Sequence, residues 1–171
     1  MELSKKERLM LWNQYEILKA LYPDDIENYE IYQKIVLDGY KYNYENLATW
    51  ILDETPEEVS KFVFDVFNMF RILNNSFSAL KDKEKLEIDK TKLCFSGYDG
   101  NEETDYYSYT NFVIDDLKRY EELSEDKNFQ LNSHCQMVNT YKKMLNKWVE
   151  IRAGKYDNLT LEQIKKIIDE Y

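Results

Sequence analysis

Residues 55–80 read TPEEVSKFVFDVFNMFRILNNSFSAL, and no other stretch says as much about the architecture of this chain. Pro56 suits the first position of a helix, where its missing N–H would have no partner. Apolar residues then recur from Phe62 to Leu73 at spacings that cover most of the circumference of a helix. A helix that is apolar on nearly all sides is normally the buried centre of its domain. The stretch therefore predicts a central helix over residues 56–80, about 37 Å long at the standard rise per residue.

Capping signals mark the starts of several helices. Each has Ser, Thr or Asp followed three residues later by Glu or Gln, so that two side chains can bind the free backbone amides. These signals are SKKE at 4–7, TPEE at 55–58, DGNE at 99–102 and TLEQ at 160–163. Gly39 is placed to end the second helix. The patterns predict an all-α multihelical bundle of about six to eight helices around the central helix, in one domain over residues 1–171.

The composition argues against several classes of protein. The 171 residues include only four glycines and two prolines, too few for the many turns of a β-sandwich or barrel. No apolar run approaches the 18 residues typical of a membrane helix, so we expect no membrane association. Two cysteines, Cys94 and Cys135, and a single histidine leave too few ligands for a zinc site of the Cys/His type. Reduced thiols and a cytoplasmic location are the simplest reading.

The hexapeptide SGYDGN, Ser96–Asn101, holds two of the four glycines and allows three interpretations. A calcium loop of the EF-hand type needs glycine and a carboxylate where this chain has Thr104 and Thr110. A phosphate loop lacks its glycine pattern here, and Asp99 and Glu102 would repel the anion. The favoured interpretation is a structural corner, in which Asp99 caps the next helix and Glu102 completes the capping box.

Several polar and aromatic residues are candidate interaction or ligand positions. Asn13 and Gln14, on an otherwise apolar first helix, are either a hook for a ligand or core amides that tie two helices together. A polar stripe on the central helix either lines a groove or meets water; it consists of Asp65, Asn68, Arg71 and Asn75. The full set of candidates is Asn13, Gln14, Tyr15, Gly97, Tyr98, Asp99, Tyr106, Tyr109, Arg119, Tyr141 and Trp148. His134 and Cys135 are adjacent and should point apart, which argues against a nucleophilic pair.

Charge is segregated along the chain. Residues 99–126 carry ten acidic and two basic side chains, whereas residues 142–155 carry five basic and one acidic. A predicted helix over 101–123 is therefore acidic and rich in tyrosine, and its expected neighbour is basic. The two could compensate each other within the bundle, or they could support self-association or the docking of a basic partner. Tyr106, Tyr107 and Tyr109 are where we expect any exposed aromatic patch.

The chain resembles the YfbU family of bacterial proteins over nearly its whole length. The motifs that carry the resemblance are RLMLWNQYEILKAL (8–21), YQKIVLDGY (32–40), SGYDGNEE (96–103), KRY (118–120), YKKMLNKW (141–148) and LTLEQIKKII (159–168). Tyr98 stands where we expect phenylalanine in the family motif. The resemblance implies a single all-α domain in a soluble, cytoplasmic protein. It supplies no catalytic residues.

The sequence carries no recognisable catalytic signature. It predicts a non-enzymatic protein-interaction or regulatory module that self-associates, with a homodimer expected, and with no cofactor or metal. The first alternative is a metal-dependent hydrolase that uses carboxylates near the corner Gly97–Glu103. The second is weak nucleic-acid binding through the basic helix 142–155 with Tyr141 and Trp148, which the net charge of −10 disfavours.

Overall fold

The computed structural model describes residues 1–152 and 157–171. Over these ranges it contains no β-strand, only an isolated bridge between Tyr98 and Asn132, which confirms the predicted all-α multihelical class. The α-helices are α1 (Lys5–Leu21), α2 (Ile26–Asp38), α3 (Glu57–Ala79), α4 (Asp82–Lys85), α5 (Thr104–Asn111), α6 (Glu121–Ser124), α7 (Val138–Arg152) and α8 (Leu161–Ile168). Short 3-10 helices cover Pro23–Asp25, Lys41–Leu47 and Lys90–Leu93, and a π-helix covers Phe112–Asp116. None of the described helices is long and apolar enough to cross a membrane.

The chain divides into two compact units, Met1–Glu54 and Thr55–Tyr171, which we call the N-terminal unit and the C-terminal unit. The division falls in residues 52–56, which form no helix. The expectation of one domain over residues 1–171 stays a prediction.

The N-terminal unit is built on the packing of α1 against α2. Ser4 and Glu7 form the predicted capping box at the start of α1. The buried ring of Tyr15 then packs against two rings of α2, with centroids 6.2 Å from Tyr29 and 5.6 Å from Tyr32. Aromatic pairs at these separations add roughly 0.5–1.5 kcal/mol beyond the area they bury. The aromatic contacts therefore fix which side of α1 faces α2.

The end of α2 is held by a glycine and an arginine. Gly39 adopts a φ of +75° at the C-cap, as predicted. The guanidinium of Arg8 donates hydrogen bonds to the carbonyl oxygens of Val36 and Leu37, at 2.6 and 2.8 Å. These carbonyls lie in the last turn, where helical partners are missing. A single side chain of α1 thus completes the C-terminus of α2.

The C-terminal unit is organised around α3, which confirms the central helix predicted over 56–80. Its residues Val63, Val66, Phe67 and Phe70 are fully buried. Helices α5, α7 and α8 all pack against α3. The apolar residues on most sides of α3 explain this arrangement, because each side needs a neighbour that shields it from water.

The start of α3 differs from the prediction by one residue. Pro56 has an extended ψ of 138° and is itself the N-cap, so the helix begins at Glu57. The first turn closes when Val59 N–H donates to the Pro56 carbonyl oxygen. Thr55 consequently lies outside the helix, and the expected TPEE capping box is wrong. The box at Thr160 is present as predicted.

The helix predicted over 101–123 is wrong in its second half. α5 ends at Asn111, and after the π-helix Lys118 and Tyr120 adopt positive φ values of 51° and 59°. The ring of Tyr120 stacks on Phe67 at 4.9 Å, and its hydroxyl donates to Asn68 Oδ1. Burial of this tyrosine offsets the strain of a left-handed residue, which costs about 1–3 kcal/mol. Tertiary packing has overridden the helical periodicity.

Candidate functional site

The glycine corner begins at Gly97, where the backbone approaches a distant loop. Gly97 has a φ of +85°. The next residue, Tyr98, pairs with that loop through Tyr98 N–H to Leu131 O and Ser133 N–H to Tyr98 O, both 3.1 Å. A Cβ on Gly97 would lie 2.8 Å from the Gln130 carbonyl oxygen and closer still to the Leu131 carbonyl. Only glycine fits here.

Asp99 caps the turn that follows, and its partner is Glu103. Asp99 Oδ1 accepts hydrogen bonds from the amides of Asn101 and Glu102, at 2.8 and 3.1 Å. The side chain that reaches back to Asp99 N–H is Glu103, at 3.0 Å, whereas the predicted partner was Glu102. The chain makes one further turn, with Glu103 N–H bonded to Asp99 O, before α5 begins at Thr104. Because of this turn, the carboxylate that accepts from Asp99 N–H belongs to Glu103, one residue after the predicted Glu102.

Glu103 also binds the start of α7. Its Oε2 accepts from Met137 N–H at 2.9 Å and its Oε1 accepts from Val138 N–H at 2.7 Å. Val138 is the first residue of α7, so these are amides that lack helical partners and favour a negative charge. One buried carboxylate therefore joins the corner to the N-terminus of a second helix. The sequence offered no signal for this contact.

These contacts occupy the carboxylates of the corner, which would otherwise be the groups able to bind a metal ion or transfer a proton. Oxygens of Asp99 and Glu103 are directed to backbone amides of the corner and of α7. Across residues 1–152 and 157–171, no three His, Cys, Asp or Glu side chains form a group that could hold a metal ion. The geometry supports the structural interpretation of the corner and gives no support to the hydrolase alternative.

Three candidate tyrosines meet in the core of the C-terminal unit. The ring of Tyr98 lies 5.4 Å from Tyr106 and 5.5 Å from Tyr141, centroid to centroid. Burial raises the pKa of Tyr98 well above its ordinary value, and the charge of Glu103 adds to the shift. Burial likewise raises the pKa of Tyr141 well above its ordinary value. Both phenols stay protonated at any physiological pH, which suits packing and does not suit proton transfer.

The hydroxyl of Tyr98 allows a direct test of the interpretation that this tyrosine serves only in packing. It is fully buried and has no hydrogen-bond partner among the described residues, whereas the Tyr141 hydroxyl accepts from Ser96 N–H at 3.1 Å. Tyr98→Phe is expected to stabilise the protein by about 1 kcal/mol, because an unpaired buried hydroxyl is unfavourable. The matched change Tyr141→Phe is expected to destabilise it by about 1–2 kcal/mol. Urea unfolding measures both, and a destabilised Tyr98→Phe protein would mean that this hydroxyl has a role.

Asn13 and Gln14 are exposed, so the expectation of core amides in α1 is wrong. The buried amide of the N-terminal unit is Gln33 of α2. Its Nε2 donates to Trp12 O at 3.2 Å and to Glu16 Oε1 at 2.7 Å. Helical periodicity could not predict this contact. Because α1 has apolar residues on more than one face, its sequence does not show which face lies against Gln33 of α2.

The remaining candidates, Tyr109, Arg119 and Trp148, make contacts between aromatic rings or between a ring and a cation. Tyr109 packs edge-on against Phe64 at 6.0 Å, and the exposed Arg119 places its guanidinium 5.7 Å above the same ring. Trp148 is half-buried on α7, with the guanidinium of Arg152 5.3 Å above its ring. The two arginine contacts are cation–π interactions, each worth about 0.5–1 kcal/mol at exposed positions.

Cys94 is not an activated nucleophile. Burial raises the pKa of the Cys94 thiol to about 11, and the nearby Asp126 adds to the shift. The thiol is therefore protonated near neutral pH, and the thiolate is the reactive form. Cys135 is exposed and follows His134, which has a φ of +53°.

Glu122 of the acidic segment and Lys147 of the basic segment each form an ion pair with another residue, and neither pair joins the two segments. Glu122 pairs with Arg71 of α3, and Lys147 pairs with Glu150 of its own helix at 2.7 Å. Helices α5 and α7 each pack against α3. Charge compensation between the two segments within the bundle stays a prediction. Lys155, which belongs to the basic stretch 142–155, lies outside the described residues.

The exposed apolar surface is not where the sequence predicted it. Tyr106, Tyr107 and Tyr109 are half-buried against the core of the C-terminal unit. The N-terminal unit instead has an open apolar groove of about 590 Å³. Met10 and Gln14 of α1, Tyr32 of α2 and the exposed Trp50 are among its lining residues, with Tyr15 at its base between the helices. This surface is the strongest candidate for a functional site.

Comparison with known proteins places the whole chain in one family. The YfbU domain family matches residues 1–170, which include both compact units. A UPF0304 protein of Methanocaldococcus jannaschii is 34% identical over 169 residues, which cover 98% of this chain and 99% of the relative. The chain therefore belongs to the YfbU family.

Proposed function

We propose that the protein is a non-enzymatic interaction module that associates with a second copy of itself through its N-terminal unit. The observation that carries this proposal is the concentration of exposed large apolar side chains in that unit. They are Met1, Leu9, Met10, Ile17, Leu21, Tyr22, Ile26, Ile31, Leu37, Tyr40, Tyr42, Trp50, Ile51 and Leu52. The longer C-terminal unit has four among its described residues, Leu86, Phe112, Leu117 and Val149.

The N-terminal unit buries little apolar surface of its own. Its buried hydrophobic residues are Tyr15, Ile35, Val36 and Tyr44. A monomeric protein rarely exposes a contiguous apolar patch of more than a few hundred Å², and larger patches mark interaction sites. Burial of such a patch contributes roughly 25 cal/mol per Å² to the free energy of association, so covering it with a partner is favourable.

The polar chemistry of the C-terminal unit supports a structural role for that unit. The carboxylates of Asp99 and Glu103 bind backbone amides, and the Cys94 thiol has a raised pKa. Enzyme sites typically keep titratable groups with shifted pKa values in an open cleft. Among the described residues that line the apolar groove, Glu7 is the one carboxylate, and its pKa is lowered by hydrogen bonds to Ser4 that belong to the capping box of α1. Burial raises the pKa of the lining residues Tyr15 and Tyr29, so these phenols stay protonated and are poor proton donors or acceptors.

Charged substitutions on α1 test the proposal. Ile17 and Leu21 are 60% and 64% exposed, so changing them does not disturb the core. Ile17→Glu combined with Leu21→Glu is expected to weaken self-association by roughly 100-fold or more, the loss typical of a charge placed at the centre of an interface. Sedimentation velocity across a concentration series measures the effect as a shift from dimer to monomer.

The matched control lies in the other unit. Leu86 is 87% exposed and belongs to the C-terminal unit, so Leu86→Glu should leave the dimer intact. Thermal unfolding of all three proteins checks that the folded state is preserved. The proposal fails if the doubly substituted protein remains dimeric, or if Leu86→Glu dissociates the dimer equally well.

A further inference from the structure

The outer face of α1 carries a stripe whose spacing is that of a helix-pairing seam. Met10, Gln14, Ile17 and Leu21 follow one another at intervals of four, three and four residues, and all four are exposed. This alternation is the pattern of the a and d positions of a coiled coil. Tyr15, which contacts α2, lies roughly a third of a turn around α1 from the centre of this stripe. The stripe is therefore free to meet a second helix.

Charge at the two ends of α1 favours one direction of pairing. Lys5 and Lys6 stand at its N-terminal end, and Asp24 and Asp25 follow its C-terminal end. These four side chains are exposed and form no ion pair among the described residues. A parallel pair of α1 helices would bring lysines together, whereas an antiparallel pair brings the lysines of one copy to the aspartates of the other. Antiparallel pairing also places the positive end of each helix dipole beside the negative end of the other, which is a favourable arrangement.

The apolar area beside the stripe is large enough for a stable dimer. The side chains that would contribute are Met1, Met10, Ile17, Leu21, Trp50 and Ile51, with Leu52 next in the chain. At ordinary residue sizes their exposed fractions amount to about 900 Å² per copy, and a standard stable interface buries about 800 Å² per partner. Met1, Met10, Trp50 and Ile51 line the same groove, so this area is continuous beside α1.

We propose that two copies pair through antiparallel contact of α1 with α1 of the second copy, about a two-fold axis. This inference rests on the proposed function and adds the geometry of the contact. In the register that alternates a and d positions, Met10 faces Leu21 of the second copy, and Gln14 faces Ile17 of the second copy.

Cysteine cross-linking of the full chain tests this geometry. In a Cys135→Ser background, the remaining Cys94 is buried. Met10→Cys combined with Leu21→Cys places two thiols that are about 16 Å apart within one chain but adjacent across the dimer. A short bis-maleimide should therefore convert the monomer band of this double variant into a band of twice the mass.

Two single variants serve as controls. Met10→Cys alone should give little dimer, because in the antiparallel pair the two copies of residue 10 lie at opposite ends of the contact. Leu37→Cys, exposed on α2, reports cross-linking by random collision. Efficient cross-linking of Met10→Cys alone would indicate parallel pairing and overturn the inference. A dimer by sedimentation that fails to cross-link would overturn the pairing and leave the proposed function standing. A monomer at every concentration would overturn both.

Discussion

Glu103→Ala is expected to destabilise the protein by about 3–5 kcal/mol, because three backbone amides, two of them buried, lose their common acceptor. The carboxylate binds Asp99 N–H, Met137 N–H and Val138 N–H, so its loss frees both the corner and the start of α7. For a chain of this size the loss corresponds to a fall in Tm of roughly 10 °C. Urea unfolding and calorimetry measure the two quantities.

Glu102→Ala is the matched control for this prediction. Glu102 is the adjacent carboxylate and is exposed, so its removal should change stability by less than about 0.5 kcal/mol. Equal effects of the two changes would show that general charge at the corner matters more than the three hydrogen bonds. Unchanged or increased stability of Glu103→Ala would contradict the structural role, since removal of a functional carboxylate often stabilises a protein.

Gly97→Ala is the second substitution expected to have a large effect. The new Cβ would overlap the Leu131 carbonyl and force apart the backbone pairing of Tyr98 with the loop at 130–133. The positive φ adds a penalty of about 1 kcal/mol or more for any residue with a Cβ. We expect a loss of at least about 4 kcal/mol in total, which for many domains leaves little folded protein.

Gly100→Ala tests whether the corner is sensitive at every glycine or only at Gly97. A Cβ on Gly100 would meet the side-chain amide of Asn132, at 2.9 Å from its Nδ2, and a side chain can move aside. The expected loss is therefore about 1 kcal/mol or less. Expression yield and far-UV circular dichroism of the two variants compare them. A stable Gly97→Ala protein with native Tm would contradict the close approach described here.

Local patterns were sufficient to predict the central helix. The sequence predicts a helix over residues 56–80, and α3 spans Glu57–Ala79. A helix with apolar side chains on nearly every face is stable only where neighbours cover all of these faces, at the centre of its unit. Ser4, Thr160 and Gly39 were placed correctly for a similar reason. Caps depend on side chains within four residues, and such short-range geometry is encoded directly in the sequence.

Contacts between distant residues explain the predictions that were wrong. The reciprocal carboxylate at Asp99 is Glu103, because Glu103 also binds Met137 and Val138 of α7. The helix predicted over 101–123 is interrupted, because the ring of Tyr120 is drawn into the core of the C-terminal unit. Helical periodicity contains no information about either partner.

The candidate docking surface was missed because α1 is apolar on two faces. The face that contains Tyr15 packs on α2. Met10, Ile17 and Leu21 form a second stripe, and only the position of α2 shows which stripe is covered. Trp50 could not be assigned either, since it lies in a segment without regular periodicity.

The molar mass of the unmodified protein in solution is the most direct test of self-association through the N-terminal unit. Size-exclusion chromatography with light scattering across a concentration series gives this mass without any substitution. We predict a rise towards twice the chain mass of 20.8 kDa as concentration increases. A constant mass of 20.8 kDa at every concentration would contradict the proposal.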